Sequence, residues 1–184
     1  MSLTPSNMLP LGTVAPSFNL PDVVSAKNIS LSEIKSDVAT VIMFICNHCP
    51  YVIHVQKEMV NIADTYKQLG IQFIAISAND ADNYPTDSPE LMEVEAQKNG
   101  YSFPYLYDES QEVAKAYMAA CTPDFYIFGK DLECLYRGRM DESTPGNGKV
   151  NDGADIRNAL DAILAGKLVS KEQIPSVGCN IKWK

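Results

Sequence analysis

Two cysteines three positions apart lie where two strongly patterned segments of the chain meet. The run VATVIMFI, residues 38–45, is apolar at successive positions and rich in β-branched side chains, which predicts a central strand covered on both faces. Pro50 suits a first helical turn, and the helix that it begins should end at Gly70. Its apolar stripe has a spacing of three and four: Val52, Val55, Met59, Ile62, Tyr66 and Leu69. Cys46 and Cys49 therefore join a buried strand to an amphipathic helix.

The rest of the chain alternates between strand and helix patterns. Strands are predicted at 71–77 and 103–106, and helices at 88–99, 110–119 and 154–165. Segments 16–21 and 27–31 predict an N-terminal hairpin, and segments 125–128 and 133–137 predict an edge hairpin. This order favours an α/β fold with a central mixed sheet and helices on both faces. We expect one domain over 1–184, with its core at about 14–165 and a tail at 166–184 that has no clear periodicity.

Size and charge restrict the classes of partner. A chain of 184 residues can bury one core of ordinary size, and its net charge of −8 repels nucleic acid and anionic membrane surfaces. The longest apolar run is far shorter than the about 20 residues of a membrane span, and the first ten residues lack a signal-peptide pattern. We therefore expect a cytoplasmic protein, a monomer or a homodimer, with neither nucleic acid nor membrane as partner.

The spacing of the cysteine pair predicts redox chemistry. A helix N-terminus stabilises negative charge, so Cys46 is expected to be a thiolate nucleophile of lowered pKa, and Cys49 to resolve the mixed disulfide that it forms. His48 between them can stabilise the thiolate, and it is the third candidate catalytic residue. The five cysteines are odd in number and show one close pair, which favours redox use over structural disulfides. Protein or small thiol and disulfide substrates are expected, with neither a cofactor nor a metal.

Two sequence stretches together resemble a known family. FICNHCPYV before a helix, and ACTPDFYIF leading into a hairpin, resemble the thioredoxin-like proteins of the alkyl hydroperoxide reductase and thiol-specific antioxidant (AhpC/TSA) type. The resemblance implies a thioredoxin-like fold and an antioxidant or redox role. It also implies that Pro123 is a cis-proline facing the cysteine pair, and that Thr122 presents its backbone to a bound peptide strand.

A peroxidase remains an alternative reading of the same residues. Peroxiredoxins carry Pro-x-x-x-Thr-x-x-Cys at this junction, and an alignment of their reactive cysteine with Cys49 puts Ile42 and Cys46 where the proline and threonine stand. Hydroperoxides are the substrates in that case. A third reading is a thiolate metal-binding module formed by Cys46, His48, Cys49 and Cys121.

The other candidate residues have two readings each. Cys121 is either an additional redox partner or a small buried side chain, and Cys134 fits a structural position in a strand. Cys179, in the tail, is either a mobile extra thiol or a packed residue. No acidic residue lies in the strand before Cys46, so Asp124 is a candidate proton acceptor for Cys49.

Overall fold

A five-stranded mixed sheet forms the centre of the molecule. The computed structural model describes residues 3–184. Within this range the strands of the central sheet lie in the order β6 (Tyr105–Tyr107), β5 (Ile71–Ser77), β4 (Ala39–Phe44), β8 (Asp124–Gly129) and β9 (Cys134–Gly138). Strand β4 pairs in parallel with β5 and antiparallel with β8. All six residues of β4 are buried, as its apolar run predicts.

Helices cover both faces of this sheet. The helices are α1 (Leu31–Ile34), α2 (Pro50–Lys67), α3 (Pro89–Asn99), α4 (Glu112–Ala116) and α5 (Ala154–Leu164), with a 3-10 turn at Pro85–Asp87. Buried side chains of α2, α3 and α5 pack with Val41 and Met43 of β4 on one face. Leu31 of α1 and Ala114 of α4 pack with Ile42 and Phe44 on the other face. The predicted mixed α/β architecture with helices on both faces is therefore confirmed.

The helix ends follow the local sequence signals. Ser88 caps α3, since its side chain accepts a hydrogen bond from the Leu91 amide, and Pro89 occupies the first helical position. Gly100 ends the same helix in the left-handed conformation. The predicted N-terminal hairpin is present as β2 (Asn19–Pro21) paired with β3 (Asn28–Ser30). None of the helices in residues 3–184 combines the length and apolar character that a membrane span requires.

The tail adds an element that its sequence did not predict. Residues Val177–Asn180 form strand β10, which lies between β1 (Leu3–Pro5) and β7 (Cys121–Thr122) in a second, three-stranded sheet. The register pairs Cys179 with Leu3 on one side and with Thr122 on the other. Segment 166–184 is thus partly integrated into the fold, and it brings the tail to the residue that precedes Pro123.

Candidate active site

The two cysteines of the motif occupy different positions relative to helix α2. Strand β4 ends at Phe44, Cys49 is the N-cap residue, and Pro50 begins the helix. Cys46 therefore lies in the connection before the N-cap, not in the first helical turn. Both side chains are buried, with exposed fractions of 2% for Cys46 and 0% for Cys49. The helix terminus favours negative charge at Cys49 more than at Cys46.

Thr122 contacts both cysteines from the facing loop. The Cys46 Sγ lies 3.4 Å from the Thr122 hydroxyl, and the Cys49 Sγ lies 3.2 Å from the Thr122 carbonyl oxygen. The peptide bond between Thr122 and Pro123 is cis, as the resemblance implied. The fold thus brings together four of the residues expected at the site, from positions more than 70 apart in the chain.

One backbone edge of Thr122 is already occupied within the chain. The resemblance implied that this residue presents its backbone to a bound peptide strand, but in the structure β10 pairs with it there, with Cys179 opposite Thr122. The chain's own tail takes the place expected for a partner strand.

Cys179 lies directly against the cysteine motif. Its Sγ is 2.7 Å from the Cys49 Sγ, within reach of an S–H···S hydrogen bond, and its exposed fraction is 3%. Of the two readings of this residue, the packed one is correct. No sequence signal predicts this contact, because 130 positions separate the two cysteines and the tail has no periodicity that would indicate a strand.

Hydrogen bonds between the thiols shift their pKa values in opposite directions. The pKa of Cys49 is lowered to about 5, chiefly because Cys46 donates a hydrogen bond to it, with Cys179 as a further donor. The pKa of Cys46 is raised well above its ordinary value by that shared proton, by burial and by the nearby charge of Asp87. In the reduced protein the lowered pKa thus falls on Cys49, whereas the sequence predicts it for Cys46. Cys49 holds the negative charge because it caps the helix and receives the hydrogen bonds.

His48 is directed toward a buried carboxylate. Its Nδ1 lies 2.6 Å from Asp87 Oδ2, and its ring stacks on Tyr84 with the ring planes 4° apart. Asp87 has no exposed surface, and it also accepts hydrogen bonds from the Asn47 amide and the Asn79 side chain, both at 2.8 Å. Asp87 thereby fixes the backbone between the two cysteines. Sequence reasoning missed it because nothing in a polar loop marks one carboxylate as buried.

Three potential metal ligands meet at this point. Ligand atoms of Cys46, His48 and Asp87 lie within 4.8 Å of one another. This set differs from the one expected for a metal module, because Asp87 takes part and Cys49 faces Cys179 instead. Asp87 already accepts hydrogen bonds from protein donors, so the group also works as a hydrogen-bonded network without an ion.

The remaining candidates, Cys121, Cys134 and Asp124, have contacts of their own. The Cys121 Sγ lies 3.8 Å from the Pro123 carbonyl oxygen, and burial raises the pKa of its thiol. Cys134 packs on the opposite face of the sheet. Asp124 accepts hydrogen bonds from Ser6 at 2.9 Å and Tyr126 at 2.8 Å, and burial raises its pKa to about 7. The Ser6 and Tyr126 hydroxyls therefore fix the Asp124 carboxyl group at the start of β8.

Two solved structures are similar to this protein over nearly the whole chain. An uncharacterized conserved protein from Geobacillus kaustophilus is 58% identical with a TM-score of 0.99, over 100% of this chain and 97% of that one. A hypothetical protein from Sinorhizobium meliloti 1021 is 45% identical with a TM-score of 0.96, over 98% of each chain. A comparison with curated proteins finds no match.

More distant structures share the fold alone. The peroxidoxin BcpB from Mycobacterium tuberculosis is 19% identical with a TM-score of 0.61, over 84% of this chain and 96% of that one. Proteins described as disulfide oxidoreductases also match at low identity.

The model of the AhpC/TSA family matches residues 11–136, which contain both cysteines of the motif and the Thr122–Pro123 pair. The chain therefore belongs to the AhpC/TSA family and has the thioredoxin-like fold of the redoxins.

Proposed function

We propose that the protein is a thiol–disulfide oxidoreductase that uses Cys46 and Cys49 as its dithiol and disulfide pair. The observation that carries the proposal is the contact of both thiols with one residue, Thr122, at 3.4 and 3.2 Å. Two thiols held at the same point by a third element can form a disulfide without rearrangement of the sheet. The raised and lowered pKa values of the pair support this use, since they place one proton between the two sulfurs.

Cys46 and Cys49 together supply the two electrons and the proton that the exchange requires. The Cys46 sulfur attacks one sulfur of a substrate disulfide while its proton passes to the Cys49 thiolate, and one half of the substrate leaves as a thiolate. Cys49 then attacks Cys46 in the mixed disulfide and releases the second half of the substrate, which takes the proton. We assign the first attack to Cys46 because its neighbours Asn47 and His48 are partly exposed, whereas Cys49 is enclosed by Thr122 and Cys179.

A paired assay tests the proposal. Insulin reduction with dithiothreitol and hydrogen peroxide consumption with a thiol donor are measured on one preparation of the wild type. Cys46→Ser and Cys49→Ser should each abolish insulin reduction. Cys134→Ser is the matched control, because this buried thiol lies on the other face of the sheet and should leave the rate unchanged. Insulin reduction that survives in both Cys46→Ser and Cys49→Ser would refute the proposal.

A peroxidase centred on Cys49 is the second candidate function. The observation that favours it is the position of Cys49 at the N-cap of α2 together with its pKa of about 5, which makes it a thiolate at neutral pH. In the same assay this function would appear as peroxide consumption that exceeds insulin reduction. It should be lost in Cys49→Ser and retained in Cys46→Ser.

A further inference from the structure

We infer that Cys179 is a third redox-active residue, which takes over the disulfide of the Cys46–Cys49 pair as a Cys49–Cys179 disulfide. The inference rests on the proposed function, because the Cys46–Cys49 disulfide supplies the oxidised sulfur that Cys179 attacks. It gives the C-terminal strand a chemical role that neither the family nor the cysteine motif requires.

The geometry of the two sulfurs carries the inference. The Sγ atoms of Cys49 and Cys179 are 2.7 Å apart, and a disulfide bond needs about 2.05 Å, so a small movement closes the bond. Both residues belong to the same buried cluster, which also contains Cys46. A thiol in this position is the nucleophile nearest to Cys49 once the Cys46–Cys49 disulfide has formed.

Strand pairing fixes Cys179 in this place. Strand β10 lies between two neighbours, so Cys179 is held in register with Leu3 and Thr122 at the same time. The preceding residue, Gly178, allows the close approach: a Cβ added there would lie 2.0 Å from the Thr122 carbonyl oxygen. Glycine at this position lets β10 pack closely against Thr122, the residue of β7 that also contacts Cys49.

The transfer step is a thiol–disulfide exchange inside one chain. The Cys179 sulfur attacks the Cys49 sulfur, the Cys46–Cys49 bond breaks and the Cys49–Cys179 bond forms. Cys179 is oxidised, Cys46 is reduced, and Cys46 takes the proton that Cys179 gives up. Burial and the contact with Cys49 raise the pKa of Cys179 to about 12, while the nearby Lys182 charge partly offsets this. The step leaves Cys46 as a free thiol beside a protected Cys49.

The other two cysteines do not have this arrangement. Cys121 was the residue expected as an additional redox partner, and its Sγ contacts the Pro123 carbonyl oxygen at 3.8 Å. Cys134 lies in the cluster on the opposite face of the sheet, where its Sγ contacts the Tyr136 carbonyl oxygen. Cys179, by contrast, has its Sγ 2.7 Å from the Cys49 Sγ.

Peptide mapping distinguishes the two disulfides. After mild oxidation with diamide and alkylation of the remaining thiols, trypsin places Cys46 and Cys49 together in peptide 36–57 and Cys179 in peptide 172–182. A Cys46–Cys49 disulfide stays inside the first peptide, whereas a Cys49–Cys179 disulfide links the two. We expect the linked pair in the wild type, in Cys46→Ser and in the control Cys134→Ser. It should be lost in Cys179→Ser and in Cys49→Ser.

The outcomes separate this inference from the proposed function. An internal disulfide in peptide 36–57 of the wild type without any linked pair, together with no linked pair in Cys46→Ser, would overturn the role of Cys179. A linked pair without the internal disulfide at any time after oxidation would overturn the transfer step. Insulin reduction by the wild type and Cys134→Ser tests the proposed function by itself, and far-UV circular dichroism shows whether Cys179→Ser has folded.

Discussion

His48 Nδ1 lies 2.6 Å from Asp87 Oδ2, which ties the centre of the cysteine motif to the 3-10 turn that precedes α3. Asp87 is fully buried, and its negative charge raises the pKa of Cys46. The His48 ring lies against that carboxylate and can offset its charge. The stability of the reduced cysteine pair therefore depends on His48 and Asp87, although neither residue exchanges electrons.

The first prediction concerns the reduction potential. Asp87→Asn should raise it, because removal of the negative charge favours the thiolate and therefore the reduced state. His48→Ala should lower it, because Asp87 then acts on Cys46 without compensation. Each shift should be about 30 mV, which corresponds to about 1.4 kcal/mol for a two-electron couple. A glutathione redox titration measures both, and His54→Ala is the control because His54 contacts Ser143 instead. Shifts of the same sign in both variants would contradict the charge argument.

The second prediction concerns the pH at which the reduced pair ionises. Thiolate absorbance should rise near pH 5 in the wild type, and this early rise should be absent in Cys49→Ser. In Cys46→Ala the rise should move to higher pH, because this variant removes the hydrogen bond that chiefly lowers the pKa of Cys49. Absorbance suits these buried thiols, since it does not require access by a reagent. An early rise that depends on Cys46 alone would reverse the assignment.

The third prediction concerns pH-dependent stability. Burial raises the pKa of Asp124 to about 7 in the folded protein, from 3.8 ordinarily, so its contribution to stability is present below pH 4 and is lost as pH rises through 7. Asp124→Asn, which cannot ionise, should gain stability relative to the wild type between those pH values, by a few kcal/mol in total. Urea unfolding at pH 5 and pH 8 measures this difference. The exposed Asp131→Asn should show no comparable trend, and a constant difference for Asp124→Asn would rule out titration as the cause.

The fourth prediction concerns the approach of the tail strand. Gly178→Ala would place a Cβ 2.0 Å from the Thr122 carbonyl oxygen and should destabilise the protein by about 1–3 kcal/mol, because backbone atoms must move apart. Thermal or urea unfolding measures the loss. Gly129→Ala is the matched control, since its Cβ meets the flexible Leu135 side chain at 3.0 Å. Equal stability of the two variants would mean that β10 is not pressed against Thr122.

Much of the architecture follows from local pattern. The apolar run before Cys46 predicts β4, because a strand buried on both faces has apolar residues at successive positions. The spacing of three and four after Cys49 predicts α2, because a helix buried on one side repeats its apolar residues with the period of the helix. Ser88, Pro89 and Gly100 predict the limits of α3 through the backbone groups that a helix end leaves unpaired. The position of the cysteine motif at the junction of β4 and α2 could be predicted in the same way, whereas the place of Thr122 and Pro123 beside it was implied by the family resemblance.

The sequence by itself determined the α/β fold class, the strand-to-helix junction that holds Cys46 and Cys49, and the resemblance through which Thr122 and Pro123 were expected beside them. Only the tertiary structure decided that Cys49 caps the helix and holds the charge, that Asp87 is buried under His48, and that Cys179 contacts Cys49. The physical reason is the range of the interactions. Periodicity and capping act over a few residues, whereas these contacts join segments 39 and 130 residues apart through strand register and packing.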